Sequence, residues 1–276
     1  MKDIRLVATD LDGTFLKNDK SISEEDLQML ELLGQRGVIR VVATGRNFKK
    51  VQEVLPDHLP FDYVAFSSGA GIYDWNKREL VYRQNLNRET ANDIIQFFVE
   101  KDMNFHLFRA VPDNFRCWYY RGKKSCEEFE RYFDFHNSVS ELLPIKQKLT
   151  DDACQFLVIF PNEPDAFLMM KQQLESQFDD IKVVRTSSPL DTDYIWMEIF
   201  HKDVSKGNAV KFLCEQKDIH HYMTFGIGND YNDLDLLNFT SFSYLVENGP
   251  DELKPHFRKA VSNENSAFSH SLKKYL

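Results

Sequence analysis

The chain has no long apolar run; none of its hydrophobic stretches approaches the roughly 20 residues that would span a bilayer. Cysteine is scarce and unpatterned. Cys117, Cys126, Cys154 and Cys214 match neither a zinc-ligand spacing nor a CxxC redox pair, so they read as reduced thiols of a cytoplasmic protein. Positive charge is also in deficit. A net charge of -9 over 276 residues argues against general affinity for nucleic acid, which wants a basic surface. It leaves room for a small phosphorylated ligand held by a few local cations. Gly226-Ile227-Gly228 lacks the third glycine of a dinucleotide fingerprint, which disfavours an NAD-dependent oxidoreductase. There is no internal repeat and no low-complexity segment, and the first residues enter a strand at once, so no signal peptide is expected.

What remains is an ordinary soluble composition, 42% hydrophobic and 28% charged, long enough for one large domain or two smaller ones. Residues 4–9 form a short apolar run that reads as a buried strand. A helix capped by Ser21 or Ser23 carries Leu27, Leu30 and Leu33 and ends at Gly37. A second strand (38–43), a helix (47–54), a third strand (63–66) and a hairpin over 72–82 follow. The middle changes character. Helices near 90–100, 126–135 and 165–178 alternate with runs at 105–109, 115–120, 156–160, 182–186 and 194–200, which predicts an α+β module. From Ser205 the βα alternation returns, with a helix over 206–216, strands over 222–227 and 243–246, and a helix near 251–257. The expected fold class is α/β: a Rossmann-like core with a parallel sheet (residues 1–84 and 189–276) interrupted by an inserted α+β domain (85–188). Hinges are expected near Arg83-Gln84 and Ser187-Pro189.

The chemistry-bearing residues stand at strand ends. Asp10-Leu11-Asp12-Gly13-Thr14 follows the first strand. Residues two apart on an extended chain share a side, so Asp10 and Asp12 can converge. Two close carboxylates need a cation or a proton between them, although a DxDG turn capping a strand gives the same residues. Thr44-Gly45-Arg46 ends the second strand, Ser205-Lys206-Gly207 opens a helix, and Gly228-Asn229-Asp230-Tyr231-Asn232-Asp233 follows the strand through Phe225. In a parallel sheet these ends lie along one edge. Together they supply what phosphoryl transfer needs: Asp10 as nucleophile, and Asp12 as acid and base, its pKa raised by neighbouring anions. Mg²⁺ would be held by oxygens of Asp10 and the 229–233 loop. Lys206 and Thr44, with the N–H groups after Thr44, would meet the phosphoryl oxygens.

DLDGT, TGR, Lys206-Gly207-Asn208 and GNDYND, in this order, resemble the haloacid dehalogenase-like (HAD) superfamily of phosphohydrolases, and the place of the insertion is similar to the Cof-type subfamily. Ser67-Ser68-Gly69-Ala70-Gly71 and Val246-Glu247-Asn248-Gly249 agree with it. The resemblance covers nearly the whole chain and is weakest over residues 100–180. It implies Asp10 as nucleophile, Asp12 as acid/base lending its backbone carbonyl to the metal, Mg²⁺ as cofactor, and metal ligands Asp10, Asp12, Asn229 and Asp233. It implies phosphate contacts from Thr44, Gly45, Arg46, Lys206 and Asn232, and a cap that closes over the site and selects the leaving group. Two positions depart from the family pattern. Asn229 stands where the family usually has a metal-binding Asp, and Ser68 where it often has Asn.

The resulting expectation is a Mg²⁺-dependent phosphatase acting on a small phosphorylated metabolite, a sugar phosphate, through an aspartyl-phosphate. A phosphotransferase or mutase, or a non-catalytic sensor of a phosphorylated ligand, are the alternatives. No nucleic acid and no membrane partner is expected, and the state is a monomer or homodimer. Three plainer readings stay open. Arg46 can be a solvated first-turn arginine, Asp230 a helix N-cap, and His220-His221 a surface pair. The Arg109–Lys124 stretch reads as a hairpin with one packed aromatic face and one solvated basic face, as a nucleic-acid patch, or as a cap tip that reads the substrate.

Overall fold

The computed structural model describes residues 3–188, 190 and 193–275. The chain divides into two compact units, one of residues 1–83 and 205–276, the other of 84–204.

In the first unit β1 (Leu6–Thr9), α1 (Glu24–Gln35), β2 (Ile39–Ala43), α2 (Phe48–Val54), β3 (Tyr63–Phe66), β4 (Gly71–Asp74) and β5 (Glu79–Arg83) follow in order. Ser23 caps α1, its Oγ accepting from Asp26 N, and Asn47 caps α2 in the same way. The inserted unit holds α3 (Arg88–Glu100), β6 (Phe105–Arg109), β7 (Cys117–Tyr120), α4 (Glu127–His136), β8 (Ser140–Leu142), β9 (Ala153–Pro161), α5 (Pro164–Gln177), β10 (Ile181–Ser187) and β11 (Tyr194–His201). The first unit then resumes with α6 (Lys206–Gln216), β12 (Thr224–Gly228), α7 (Leu234–Phe239), β13 (Phe242–Leu245), β14 (Arg258–Lys259) and α8 (Ala267–Leu272).

Among the described residues the first unit's sheet has eight strands in the order β14-β13-β12-β1-β2-β3-β4-β5. From β14 to β3 all pairings are parallel, and β4 and β5 add an antiparallel hairpin. β1 is central, fully buried and flanked by β12 and β2, so its side chains are apolar up to Thr9 at its end. A core of Leu6, Ala8, Val41, Ala43, Ala65 and Ile72 packs against Ala209, Val210, Leu213 and Cys214 of α6. The carboxyl ends of β1, β2, β3 and β12 therefore share one edge.

The inserted unit's sheet runs β10-β11-β9-β6-β7-β8. Its core face carries Phe105, Leu107, Phe156, Val158, Met197 and Ile199 against α3 and α5. This fixes one correction. The core does not resume at residue 189, because residues 194–201 pair antiparallel with both β9 and β10 and belong to the inserted sheet. The polar stretch at Ser187-Pro189 opens the β10–β11 connection and not a domain junction; Pro189 itself lies outside the described residues. The helix expected over 251–257 is also replaced. Pro255 removes a backbone donor, and only turns and a single 3-10 turn, Lys254–His256, form there.

The Arg109–Lys124 stretch does not separate into an aromatic and a basic face. Trp118 and Tyr120 join the core cluster, while Tyr119 packs edge-on against Phe133 of α4. The Arg109 guanidinium lies 4.3 Å over Trp118, and Arg121 lies 4.2 Å over Phe133 while pairing with Glu130 at 2.8 Å. Arginine packs flat on rings, so these charges are absorbed by the aromatics that the sequence places beside them. Among the described residues no helix is long and apolar enough to cross a membrane.

Candidate active site

β1 ends directly at Asp10, whose backbone N–H still donates to Ile227 O of β12 at 2.9 Å. Its carboxylate is thereby fixed at the sheet edge, 5% exposed. Gly13 then turns the chain at φ +70°, and a side chain there would collide with Asn229 Nδ2 at 2.7 Å. The Asp10 loop and the 229–233 loop are consequently in close contact.

Lys206 ties the site together. Ser205 caps α6 by accepting from Asn208 N at 3.0 Å, which places Lys206 on the first helical turn, 1% exposed. Its Nζ donates to Asp10 Oδ1 at 2.7 Å, to Asp233 Oδ1 at 2.6 Å and to Asn232 Oδ1 at 3.2 Å. Burial raises the Asp10 pKa, to about 7; Lys206 opposes the rise, and the nearby Asp233 and Asp12 add to it. Burial alone would lower the Lys206 pKa, yet Asp10 and Asp233 hold it above the usual lysine range.

Asp12 reverses the expectation drawn from the sequence. Burial pushes its carboxyl up, but the Arg46 fork at 2.5 and 2.7 Å and Lys20 Nζ at 2.9 Å outweigh it, so its pKa lies below the usual carboxylate range. Cations, not anions, are its nearest charged neighbours. Arg46 is thus neither solvated nor free, and it is engaged with Asp12. Lys20 carries no signal in the sequence beyond its charge, eight residues from Asp12 in a polar stretch. It arrives because the chain folds back, Lys17 N donating to Ser21 O at 2.9 Å. Thr44 is 1% exposed, and its Oγ1 accepts from Arg46 N at 3.2 Å. Gly45 faces Asn232 and Ser68: a methyl on its Cα would stand 3.5 Å from Asn232 Nδ2 and 3.8 Å from Ser68 Oγ.

Asp233 does not face outward as a metal ligand. Its Oδ1 accepts from Lys206, and its Oδ2 accepts from the backbone N–H groups of Asn229 at 2.8 Å and Asp230 at 3.0 Å. It organises the loop, with Asp230 as the N-cap of the short 3-10 turn Tyr231–Asp233 in a reciprocal capping box. Among the described residues no group of three His, Cys, Asp or Glu side chains could hold a metal. The oxygens that do converge are of other kinds. The inward atom of the Asn229 amide stands 3.1 Å from Asp10 Oδ2, from the Asp12 carbonyl oxygen and from Thr14 Oγ1. With nitrogen inward, its two N–H groups are shared among these three acceptors. With oxygen inward, it accepts from Thr14 and lines a cluster of hard oxygens with Asp10 Oδ2 and Asp12 O. Neighbouring ligands on an octahedron of bonds about 2.1 Å long are about 3.0 Å apart, and the 3.1 Å from the Asn229 oxygen to Asp10 Oδ2 and to the Asp12 carbonyl suits neighbouring ligands of Mg²⁺. Asn248, in the Val246–Gly249 turn, donates to Gly13 O at 2.9 Å and braces the same loop.

A haloacid dehalogenase-like hydrolase family model matches residues 7–271. A candidate phosphatase of Streptococcus pyogenes serotype M6 is 25% identical, covering 99% of this chain and 98% of that protein. The HMP-PP phosphatase of Serratia proteamaculans is 22% identical over 99% of this chain and 95% of its own length. The structure of the HAD subclass IIB sugar phosphatase BT4131 superposes with a TM-score of 0.77 at 15% identity, covering 98% of each chain, a likeness of fold. With the motif residues gathered at one sheet edge and the family match spanning nearly the whole chain, the protein belongs to the haloacid dehalogenase-like hydrolase family, as a Cof-type phosphoric monoester hydrolase.

Proposed function

We propose that the protein hydrolyses a small phosphorylated metabolite of the sugar-phosphate class, with Mg²⁺, through an aspartyl-phosphate on Asp10. The observation that supports this most is the buried Lys206 joining Asp10 to Asp233 and Asn232 beside the Thr44 loop. In this reading Asp10 Oδ1, oriented by Lys206, attacks phosphorus and the bond to the leaving oxygen breaks. Asp12 gives that oxygen a proton. Water then attacks the phosphorus, Asp12 takes its proton, and the Asp10–phosphorus linkage breaks to release orthophosphate. The ionised Asp12 of the free protein is the form that accepts a proton; its acid step requires Arg46 to leave it for the phosphoryl group. Lys206, Thr44, Asn232 and the N–H groups of Gly45 and Arg46 are the donors assigned to the phosphoryl oxygens.

Asp10 Oδ2, the Asp12 carbonyl and the Asn229 amide oxygen are the oxygens assigned to Mg²⁺, with Asp233 outside the set. Bound there, Mg²⁺ would offset the repulsion between carboxylate and phosphate. Metal then competes with the amide nitrogen for Asp10 and Asp12, so Asn229→Asp is expected to strengthen Mg²⁺ binding about tenfold or more. The same substitution should lower the melting temperature of the metal-free protein by placing two carboxylates side by side. Thermal shift against Mg²⁺ reads both, and an unchanged midpoint concentration would remove Asn229 from the metal shell. The proposed activity is tested by product analysis over a panel of sugar phosphates and HMP-PP. Free orthophosphate is the expected product, and an isomerised ester with no phosphate released would instead identify a mutase.

A further inference from the structure

We infer that Ser68 binds the phosphoryl group directly, an assignment that rests on the phosphatase reading above. Ser68 is 3% exposed, and its buried Oγ has no hydrogen-bond partner among the described residues. A buried hydroxyl left unpaired costs free energy, and native proteins keep few of them. The backbone carries a second cost at the same place. Ser67 and Ser68 are consecutive non-glycine residues in the left-handed region, at φ +48° and +55°. Two hydrogen bonds hold them there. Ser67 N donates to Arg46 O at 2.8 Å and Ser68 N to Thr44 O at 2.9 Å, so the turn is tied to the loop assigned to phosphate. Gly69, at φ +98°, keeps the turn against α6, since a side chain there would strike Ser205 O at 2.4 Å. Unpaired polarity and backbone strain maintained by such bracing are features of ligand sites.

The place of the hydroxyl points to the ligand. Oγ borders the small space around Gly45 that Asn232 also borders, and Asn232 accepts from the same Lys206 Nζ that holds Asp10. A phosphoryl group in transfer spreads charge over three equatorial oxygens, each of which requires donors. Lys206 and the Thr44 loop supply some, and Ser68 Oγ–H supplies one more from the β3 end. The hydroxyl stays unpaired in the free protein because its partner is the substrate.

The test compares wild type, Ser68→Ala and Ser68→Gly, the last relieving the left-handed backbone while also removing the hydroxyl. KM for p-nitrophenyl phosphate, the inhibition constant of inorganic phosphate and the melting temperature are measured for each. Loss of one hydrogen bond to a charged group is expected to raise KM and the phosphate inhibition constant about tenfold in both variants. The melting temperature of Ser68→Gly should not fall in step, and that of Ser68→Ala should hold or rise. Constants within twofold of wild type in both variants would overturn the assignment, as would a loss of turnover with phosphate inhibition unchanged. Wild-type turnover secures the phosphatase reading independently of Ser68. A wild type that neither turns over nor binds phosphate would overturn that reading and this assignment with it.

Discussion

Lys206 sits on the first turn of α6, where the helix dipole disfavours a cation. Its two carboxylate partners explain why it is tolerated there, and they make its removal costly. Lys206→Met would leave Asp10 and Asp233 buried beside each other with no cation between them. We expect a loss of about 3–5 kcal/mol at neutral pH, the usual cost of breaking a buried pair by deleting one partner, read by urea denaturation. Adding Asp10→Asn to that variant should recover part of the loss, because the two residues are in contact and their effects do not add. Purely additive effects would mean that the pair is not energetically coupled. Asp10, Lys206 and the 229–233 loop were legible in the sequence as polar residues at the ends of apolar runs. The partners of Asp12 were not. Lys20 and Arg46 reach it through chain reversals that no local pattern encodes, so the sequence suggested an anionic surrounding where the fold provides cations.

At the scale of elements, α4 illustrates what an amphipathic pattern leaves out. It packs on the inserted sheet over His106, whose ring lies 4.5 Å from Phe129 and 4.9 Å from Tyr132. His106 is fully buried, and neither ring nitrogen has a partner among the described residues. Burial, with His136 and Arg121 adding to it, pushes its pKa down to about 3. A depressed histidine pKa means that the folded state refuses a proton which the unfolded state accepts. The stability it supports is complete above pH 6.5 and is lost as pH falls from 6.5 toward 3, at about 1.4 kcal/mol per pH unit. His106→Phe keeps the ring packing and removes the titration. Its stability should fall less than that of wild type over this window, and parallel curves for the two proteins would contradict the account. The sequence located α4 to within a residue because its apolar positions recur with helical period. It misplaced the boundary near residue 189 because a hairpin loop and a domain linker share the same turn-forming residues. The strand at 194–201 was recognised as a strand, but its partners lie up to 43 residues away, Phe156 to Ile199, and only pairing assigns it to a sheet.

For the molecule as a whole, the parallel order β13-β12-β1-β2-β3 collects into one place loops that are separated by as many as 223 residues, Asp10 to Asp233. A ligand site at strand carboxyl ends is the general consequence of such a sheet. The proposed nucleophile is its most exacting element, since every other group is assigned a role relative to Asp10. Asp10→Asn preserves the shape of the side chain and leaves Lys206 paired with Asp233 at 2.6 Å, so the fold should survive. The decisive measurement is phosphate release from p-nitrophenyl phosphate by wild type and Asp10→Asn, each with Mg²⁺ and with EDTA. The account expects metal-dependent release by the wild type and none from the folded variant. Release by Asp10→Asn at the wild-type rate would contradict it.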